Sequence, residues 1–141
     1  MYNEVVGANR VTNLQLTRDQ VCGIFTHAPG YRTWGDLARD NPVLAGDNNP
    51  ITVITRNDLA GESYVLSEYC IATQPVIWQQ FIGYEQHPAD PNDARPDLAN
   101  GQPSSNWPVA LEGGALSPQR PGADGVADAV ADPISGIHGI T

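Results

Sequence analysis

Arg56 and Asp58 are the residues whose types and spacing best fit a chemical role. They follow a β-branched run at residues 51–55, and residues 61–63 after them resemble a helix start. An arginine at a strand end can present its planar guanidinium to a tetrahedral oxyanion, and Asp58 could hold that guanidinium in place. The first N–H groups of a helix lack partners within the helix and lie at the positive end of its dipole. This loop is therefore a candidate anion-binding site.

The same residues also fit an ordinary βα loop, in which Arg56 is a surface side chain paired with Asp58. Gly61 favours the anion-binding alternative, because a glycine lets the backbone approach a ligand closely. On the residues alone, the ordinary loop is the stronger of the two interpretations.

Composition and charge exclude several other functions. The 141 residues allow one domain, and the net charge of -9 argues against nucleic acid or an anionic membrane surface as main partner. All seven basic residues are arginines, which excludes Schiff-base and P-loop lysines. No apolar run approaches the roughly 18 residues of a membrane span.

We find no hydrolase, zinc-protease or Walker motif and no metal-ligand spacing among His27, His87 and His138, so we expect no enzyme, metal or cofactor.

The N-terminus and the cysteines bear on the cellular compartment. Residues 1–6 have no basic region, apolar region or cleavage site, so we expect no secretory signal there. On this ground the protein is either cytoplasmic or the mature or excised part of something longer. Cys22 and Cys70 lie far apart and form no CxxC motif. They are either two small buried residues within helices or, if the parent protein is exported, a disulfide.

The elements that must position the Arg56 loop alternate between strands and helices. Thr17 and Gln20 have the spacing of a capping box, which predicts a helix over 18–26. The remaining pattern predicts an entering strand and turn over 1–12, helices over 34–40, 62–72, 75–83 and 124–131, and strands over 51–55 and from 138. This order indicates an α/β domain.

Residues 84–121 differ from the rest of the chain. They hold seven of the twelve prolines and show little hydrophobic periodicity. Residues 90–97 consist almost wholly of turn-forming types. We therefore predict a long, exposed, Pro-rich excursion over 84–121.

The stretch 50–64, which reads PITVITRNDLAGESY, resembles the central motif of the PstS-type phosphate-binding proteins of ABC transporters. That motif is a strand followed by Arg-Ser-Asp-Gly-Ser-Gly-Thr-Thr-Phe. Flanking segments are similar in order and spacing, at residues 14–25, 31–36, 106–109, 122–127 and 139–140. The resemblance implies that residues 1–141 form the second lobe of a type 2 periplasmic-binding-protein fold, a mixed central sheet flanked by helices, with the first lobe absent.

The resemblance also implies a function without catalysis. Arg56 would pair with phosphate or a similar oxyanion, Asp58 would orient Arg56, and Gly61 would donate its backbone N–H. The parent protein would be extracytoplasmic and would present its ligand to an ABC permease, which makes a disulfide between Cys22 and Cys70 plausible. Because the missing first lobe would supply the other donors, we expect weak phosphate binding by this chain.

Two residues depart from the family motif. Ala60 replaces a serine, so one hydroxyl donor is missing, and Glu62 replaces a threonine. Glu62 would repel phosphate if it pointed into the site and would favour the helix N-terminus if it pointed outward. Ser63 could supply a hydroxyl instead. The alternative function is therefore an interaction or structural domain of PstS-like fold that has lost phosphate binding.

Overall fold

The structure, a computed structural model, describes residues 1–85, 101–108, 117–131 and 138–141. This part of the chain forms a small mixed α/β domain. The helices are α1 (Arg18–Thr26), α2 (Gly61–Thr73), α3 (Pro75–Glu85) and α4 (Gly122–Ala131), and the strands are β1 (Val5–Val6), β2 (Asn9–Arg10), β3 (Thr52–Val53), β4 (Thr55–Arg56), β5 (Gln119–Arg120) and β6 (Gly139–Ile140). Among these residues, no helix has the length and apolar character needed to cross a membrane.

Helix α1 begins and ends as its sequence predicts. The Thr17 hydroxyl accepts the N–H of Gln20 at 3.4 Å, and the Gln20 side chain accepts the N–H of Thr17 at 2.8 Å. This reciprocal pair is a capping box, which satisfies two of the N–H groups that have no partner within the helix. His27 closes the helix in the left-handed conformation, at φ 59°.

The run predicted as one strand over 51–55 divides between two sheets. β3 pairs in parallel with β6, whereas β4 pairs in parallel with β5, which places Arg56 opposite Arg120. β1 and β2 form a separate antiparallel pair. Since α4 begins directly after β5, the parallel pairing brings the end of β4 next to the start of α4.

The core lies beneath α1, α2 and α3. Trp34, Trp78 and Trp107 are all buried. Cys22 of α1 and Cys70 of α2 are joined by a disulfide within this core, with their Cα atoms 5.6 Å apart. The two interpretations of the cysteines are therefore compatible: both residues are buried in helices, and they are bonded.

The described residues of 84–121, the stretch predicted as an exposed excursion, include helical, strand and buried positions. Helix α3 continues to Glu85, and residues 119–120 form β5. Trp107 is buried because its ring packs in the core while its Nε1 donates to the carbonyl of Phe25 at 3.1 Å. Residues 86–100, which include His87 and the turn-forming stretch, and residues 109–116 lie outside the described part.

The helix predicted over 34–40 is shorter than expected. Only Trp34–Leu37 is helical, and it is a 3₁₀ turn. Gly35 donates its N–H to the carbonyl of Asp47 at 2.7 Å, and a Cβ at this glycine would lie 2.5 Å from that oxygen. This close contact with a distant segment fixes the local backbone, which a pattern of neighbouring residues does not reveal.

Glu4 holds the N-terminal segment against the residues that lead into β6. Its buried carboxyl group lies 2.5 Å from Nδ1 of His138, and burial raises the pKa of this carboxyl group. Nearby, the N–H of Asn3 donates to the carbonyl of Gly139 at 2.9 Å. The first residues of the chain therefore support the strand that pairs with β3.

The disulfide joins two residues that are 48 positions apart in the sequence. It therefore restricts the conformational freedom of the unfolded chain considerably. We expect Cys22→Ala/Cys70→Ala to lower the free energy of unfolding by about 2–4 kcal/mol. Urea denaturation followed by tryptophan fluorescence measures this loss, and chemically reduced wild-type protein serves as the control. Two titratable thiols in denatured, unreduced wild-type protein would contradict the pairing.

Gly23 of α1 has no space for a side chain. A Cβ there would lie 2.2 Å from the ring of Tyr31, whose hydroxyl is held by Asp19 at 3.0 Å. Gly23→Ala should therefore destabilise the protein by about 1–3 kcal/mol. Gly83→Ala is the matched control: the glycine is exposed in α3 with no atom near its Cβ position, so we expect about 0.5–1 kcal/mol of stabilisation. Equal melting temperatures for the two variants would refute the crowding of Gly23.

Candidate functional site

The candidate site is the loop between β4 and α2. β4 ends at Arg56, and α2 begins at Gly61. Ala60 has an extended backbone, and its N–H donates to the carbonyl of Ser105 at 2.9 Å. Because Ala60 has no polar side chain, the start of α2 has no side-chain cap, and its first N–H groups remain available to another acceptor.

Asp58 holds the guanidinium of Arg56 in a bidentate ion pair. Nε of Arg56 donates to Oδ1 at 2.9 Å, and Nη2 donates to Oδ2. Oδ1 also accepts the N–H of Gly122, at the start of α4, at 3.2 Å. The hydrogen bonds from Arg56 and the smaller contribution of the Gly122 N–H lower the pKa of Asp58 to about 2. The carboxylate thus stays ionised, and the guanidinium is fixed between two elements.

Glu62 occupies the remaining edge of the same guanidinium. Nη1 of Arg56 donates to Oε2 of Glu62 at 3.1 Å. The Glu62 side chain is 74% exposed, whereas that of Arg56 is 22% exposed. An ion pair with so exposed a partner contributes little net free energy, because water screens it and the long side chain must be ordered. The contact between Glu62 and Arg56 is therefore weak and can be exchanged for another partner.

A cavity of about 120 Å³ lies beside Arg56 and the start of α2. Its walls combine polar residues with apolar side chains from four parts of the fold. The lining residues are Phe25, Ile54, Thr55, Arg56, Glu62, Ser63, Leu66, Trp107 and Thr141. Ser63 is only 8% exposed, and among the described residues its hydroxyl has no hydrogen-bond partner. The cavity is therefore bordered by a cation and by a hydroxyl group that has no hydrogen-bond partner in the described part of the chain.

The predicted residues have different positions in this arrangement. Arg56, Glu62 and Ser63 all border the cavity, and Asp58 lies behind Arg56. Ala60 is buried and is anchored by its backbone alone. Gly61 is exposed, with no atom within 4 Å of its Cβ position, so nothing in the described part of the chain requires a glycine there.

Sequence reasoning missed the groups that distant segments bring to the site. Gly122 is one of them, although it belongs to a segment singled out by its similarity to the family. Phe25, Trp107 and Thr141 also come from distant segments, whereas Leu66 lies further along α2 itself. Phe25, Leu66 and Trp107 each have the pattern of an ordinary core residue. Across the described ranges, no cluster of three or more His, Cys, Asp or Glu residues could hold a metal ion.

The low pKa of Asp58 gives a direct test of the ion pair. Above the ordinary value of 3.8 the carboxyl group is ionised in both folded and unfolded chains, so the stabilisation by Arg56 is fully present. It is lost as the pH falls towards about 2. We expect an NMR titration of the Asp58 carboxyl carbon to have its midpoint near 2, and Arg56→Gln to raise that midpoint towards 3.8. A midpoint that the substitution does not change would contradict the pairing.

Comparison with known proteins assigns no family to this site. No family model, curated protein or solved structure matches the chain. A function for Arg56 and its neighbours must therefore be argued from their geometry and from the resemblance of the loop to the PstS motif.

Proposed function

We propose that this chain is a non-catalytic binding module for phosphate or a similar oxyanion, with a half-site formed by the Arg-x-Asp loop and the start of α2. The main support for this proposal is the orientation of the Arg56 guanidinium. Asp58, which accepts the N–H of Gly122, holds it at the edge of a cavity. An oriented guanidinium beside an uncapped helix N-terminus suits an oxyanion, because both present N–H donors and positive charge.

The resemblance of residues 50–64 to the PstS-type motif supports the same function. That resemblance calls for an arginine oriented by an aspartate two residues later, and Arg56 and Asp58 are paired in this way. In this proposal the chain is the second lobe of an ABC-transporter solute-binding protein of the type 2 periplasmic fold. The first lobe would complete the site, and an ABC permease would receive the ligand.

The buried disulfide between Cys22 and Cys70 supports an extracytoplasmic parent protein. Disulfides form and persist mainly in oxidising compartments, where secreted and periplasmic proteins fold. We propose no nucleic-acid partner, because a net charge of -9 disfavours binding to the phosphate backbone.

The chain by itself should bind phosphate weakly. Its half-site is open to water, so the anion keeps much of its hydration, and the second set of donors is missing. An anion must also displace Glu62 from Nη1 of Arg56. We therefore expect a Kd of about 1 mM or weaker for inorganic phosphate, and micromolar binding in a calorimetric titration would contradict the half-site.

The same contact favours a second candidate function, an interaction or structural domain that has lost phosphate binding. Glu62 already satisfies the free edge of Arg56, and Ala60 lacks the hydroxyl donor of the family motif. In this alternative, the Arg56 network has a structural role in joining β4 to α4 and α2.

Charge removal at Glu62 distinguishes the two candidates. Glu62→Gln should bind inorganic phosphate about three- to tenfold more tightly than wild type, because an acceptor that repels the anion and competes for Nη1 is removed. Arg56→Gln should abolish binding. NMR titration of backbone amides at fixed ionic strength measures both effects.

Glu68→Gln is the matched control, since Glu68 is an exposed carboxylate on the same helix, α2. It changes the net charge equally and should leave the affinity within about twofold of wild type. Equal gains for both glutamine variants would indicate an effect of net charge alone. Binding that persists in Arg56→Gln, or its absence in all variants, would favour the alternative function.

A further inference from the structure

The cavity beside Arg56 has an apolar lining that would not interact favourably with inorganic phosphate. Phe25 of α1, Leu66 of α2, Trp107 and Ile54 form its apolar part, and the last two are almost completely buried. All the oxygens of phosphate are polar, so a phosphate ion placed against these side chains would lose hydration without gaining hydrogen bonds. The apolar walls match a ligand with apolar surface of its own.

The cavity is also bordered by polar groups. Nη1 of Arg56 lies there in contact with the displaceable Glu62. Ser63 faces the same space, more than nine-tenths buried, and its hydroxyl has no partner in the described part of the chain. The hydroxyl oxygen itself still has access to water, so it is available to donate to a ligand oxygen. A ligand oxygen in this part of the cavity would accept from Ser63 and Arg56.

We propose that the ligand of this site is a small organic anion, an oxyanion that carries a short apolar chain. Its charged group replaces Glu62 at Arg56 and accepts from Ser63, and its chain fills the space between Phe25 and Leu66. This inference rests on the oxyanion-binding function proposed above and narrows the ligand class.

The volume of the cavity sets the length of the chain. A dry cavity of about 150 Å³ in another protein holds a benzene ring. The cavity here is about 120 Å³, somewhat smaller. It therefore suits roughly three to five carbon atoms, and burying each methylene group can strengthen binding by up to about fourfold.

Paired probes test the ligand class on the wild-type chain. Inorganic phosphate is compared with n-butyl phosphate, and acetate with pentanoate, because the charged group could be a phosphate or a carboxylate. NMR titrations at one pH and ionic strength follow the amides of α2. In at least one pair, the longer probe should bind at least about tenfold more tightly than the shorter one. Butan-1-ol should bind far more weakly than that longer probe, and equal binding by the alcohol would overturn the need for the anion.

A cavity-filling substitution tests whether the tighter binding of the longer probe arises in this cavity. Leu66→Phe should reduce the advantage of the longer probe to about twofold or less, because the added ring occupies the space of the chain. Val65→Phe is the matched control: Val65 is the preceding residue on α2, is 61% exposed and does not border the cavity, so the tenfold advantage should persist. Thermal unfolding of both variants checks that they fold.

The outcomes separate this inference from the proposed function. If phosphate binding depends on Arg56 but neither longer probe binds more tightly than its shorter partner, the ligand class is wrong and the oxyanion-binding function stands. If no probe binds in a manner that depends on Arg56, both proposals fail. If the longer probe keeps its tenfold affinity advantage in Leu66→Phe, its apolar chain binds elsewhere and the inference is overturned.

Discussion

Trp107 connects the core of this domain to its candidate site. Its ring packs against Phe25, Trp78 and Phe81 at centroid separations of about 6 Å. Its Nε1 donates to the carbonyl of Phe25, and its own carbonyl accepts from the Gln119 side chain at 2.9 Å. Gln119 belongs to β5, the partner of β4, so one buried residue contacts the aromatic core, the edge of a sheet and the cavity. Buried aromatic rings contribute much of the stabilisation of a small core, and hydrogen bonding of the indole N–H makes their burial possible.

The site itself depends on a balance between one cation, Arg56, and two carboxylates, Asp58 and Glu62. Asp58 must hold Arg56, since a free guanidinium would lose conformational freedom on binding an anion. Glu62 takes the remaining edge, but its exposure keeps that contact weak. The result is a guanidinium with a fixed orientation and an exchangeable partner. Such an arrangement is compatible with a binding site and with a structural ion pair, which is why both proposed functions use Arg56, Asp58 and Glu62.

Local signals account for the parts of the fold that the sequence predicts well. The capping box at Thr17 and Gln20 depends on residues three positions apart, and it sets the start of α1. The β-branched run ahead of Arg56 and the polar loop after it likewise indicate a strand followed by a helix. The 3₁₀ turn at Trp34–Leu37 departs from its prediction because the carbonyl of Asp47 fixes Gly35 from outside the segment.

The sequence by itself determined the mixed α/β class, the capping of α1 and the pairing of Arg56 with Asp58, because each depends on residues close together in the chain. Only the tertiary structure decided that Cys22 bonds to Cys70, that Gly122 supports Asp58, and that Trp107 is buried where a Pro-rich stretch suggests an exposed loop. These contacts join residues separated by 48 or more positions, and their geometry follows from the packing of whole helices and strands. No local pattern of residue types encodes it.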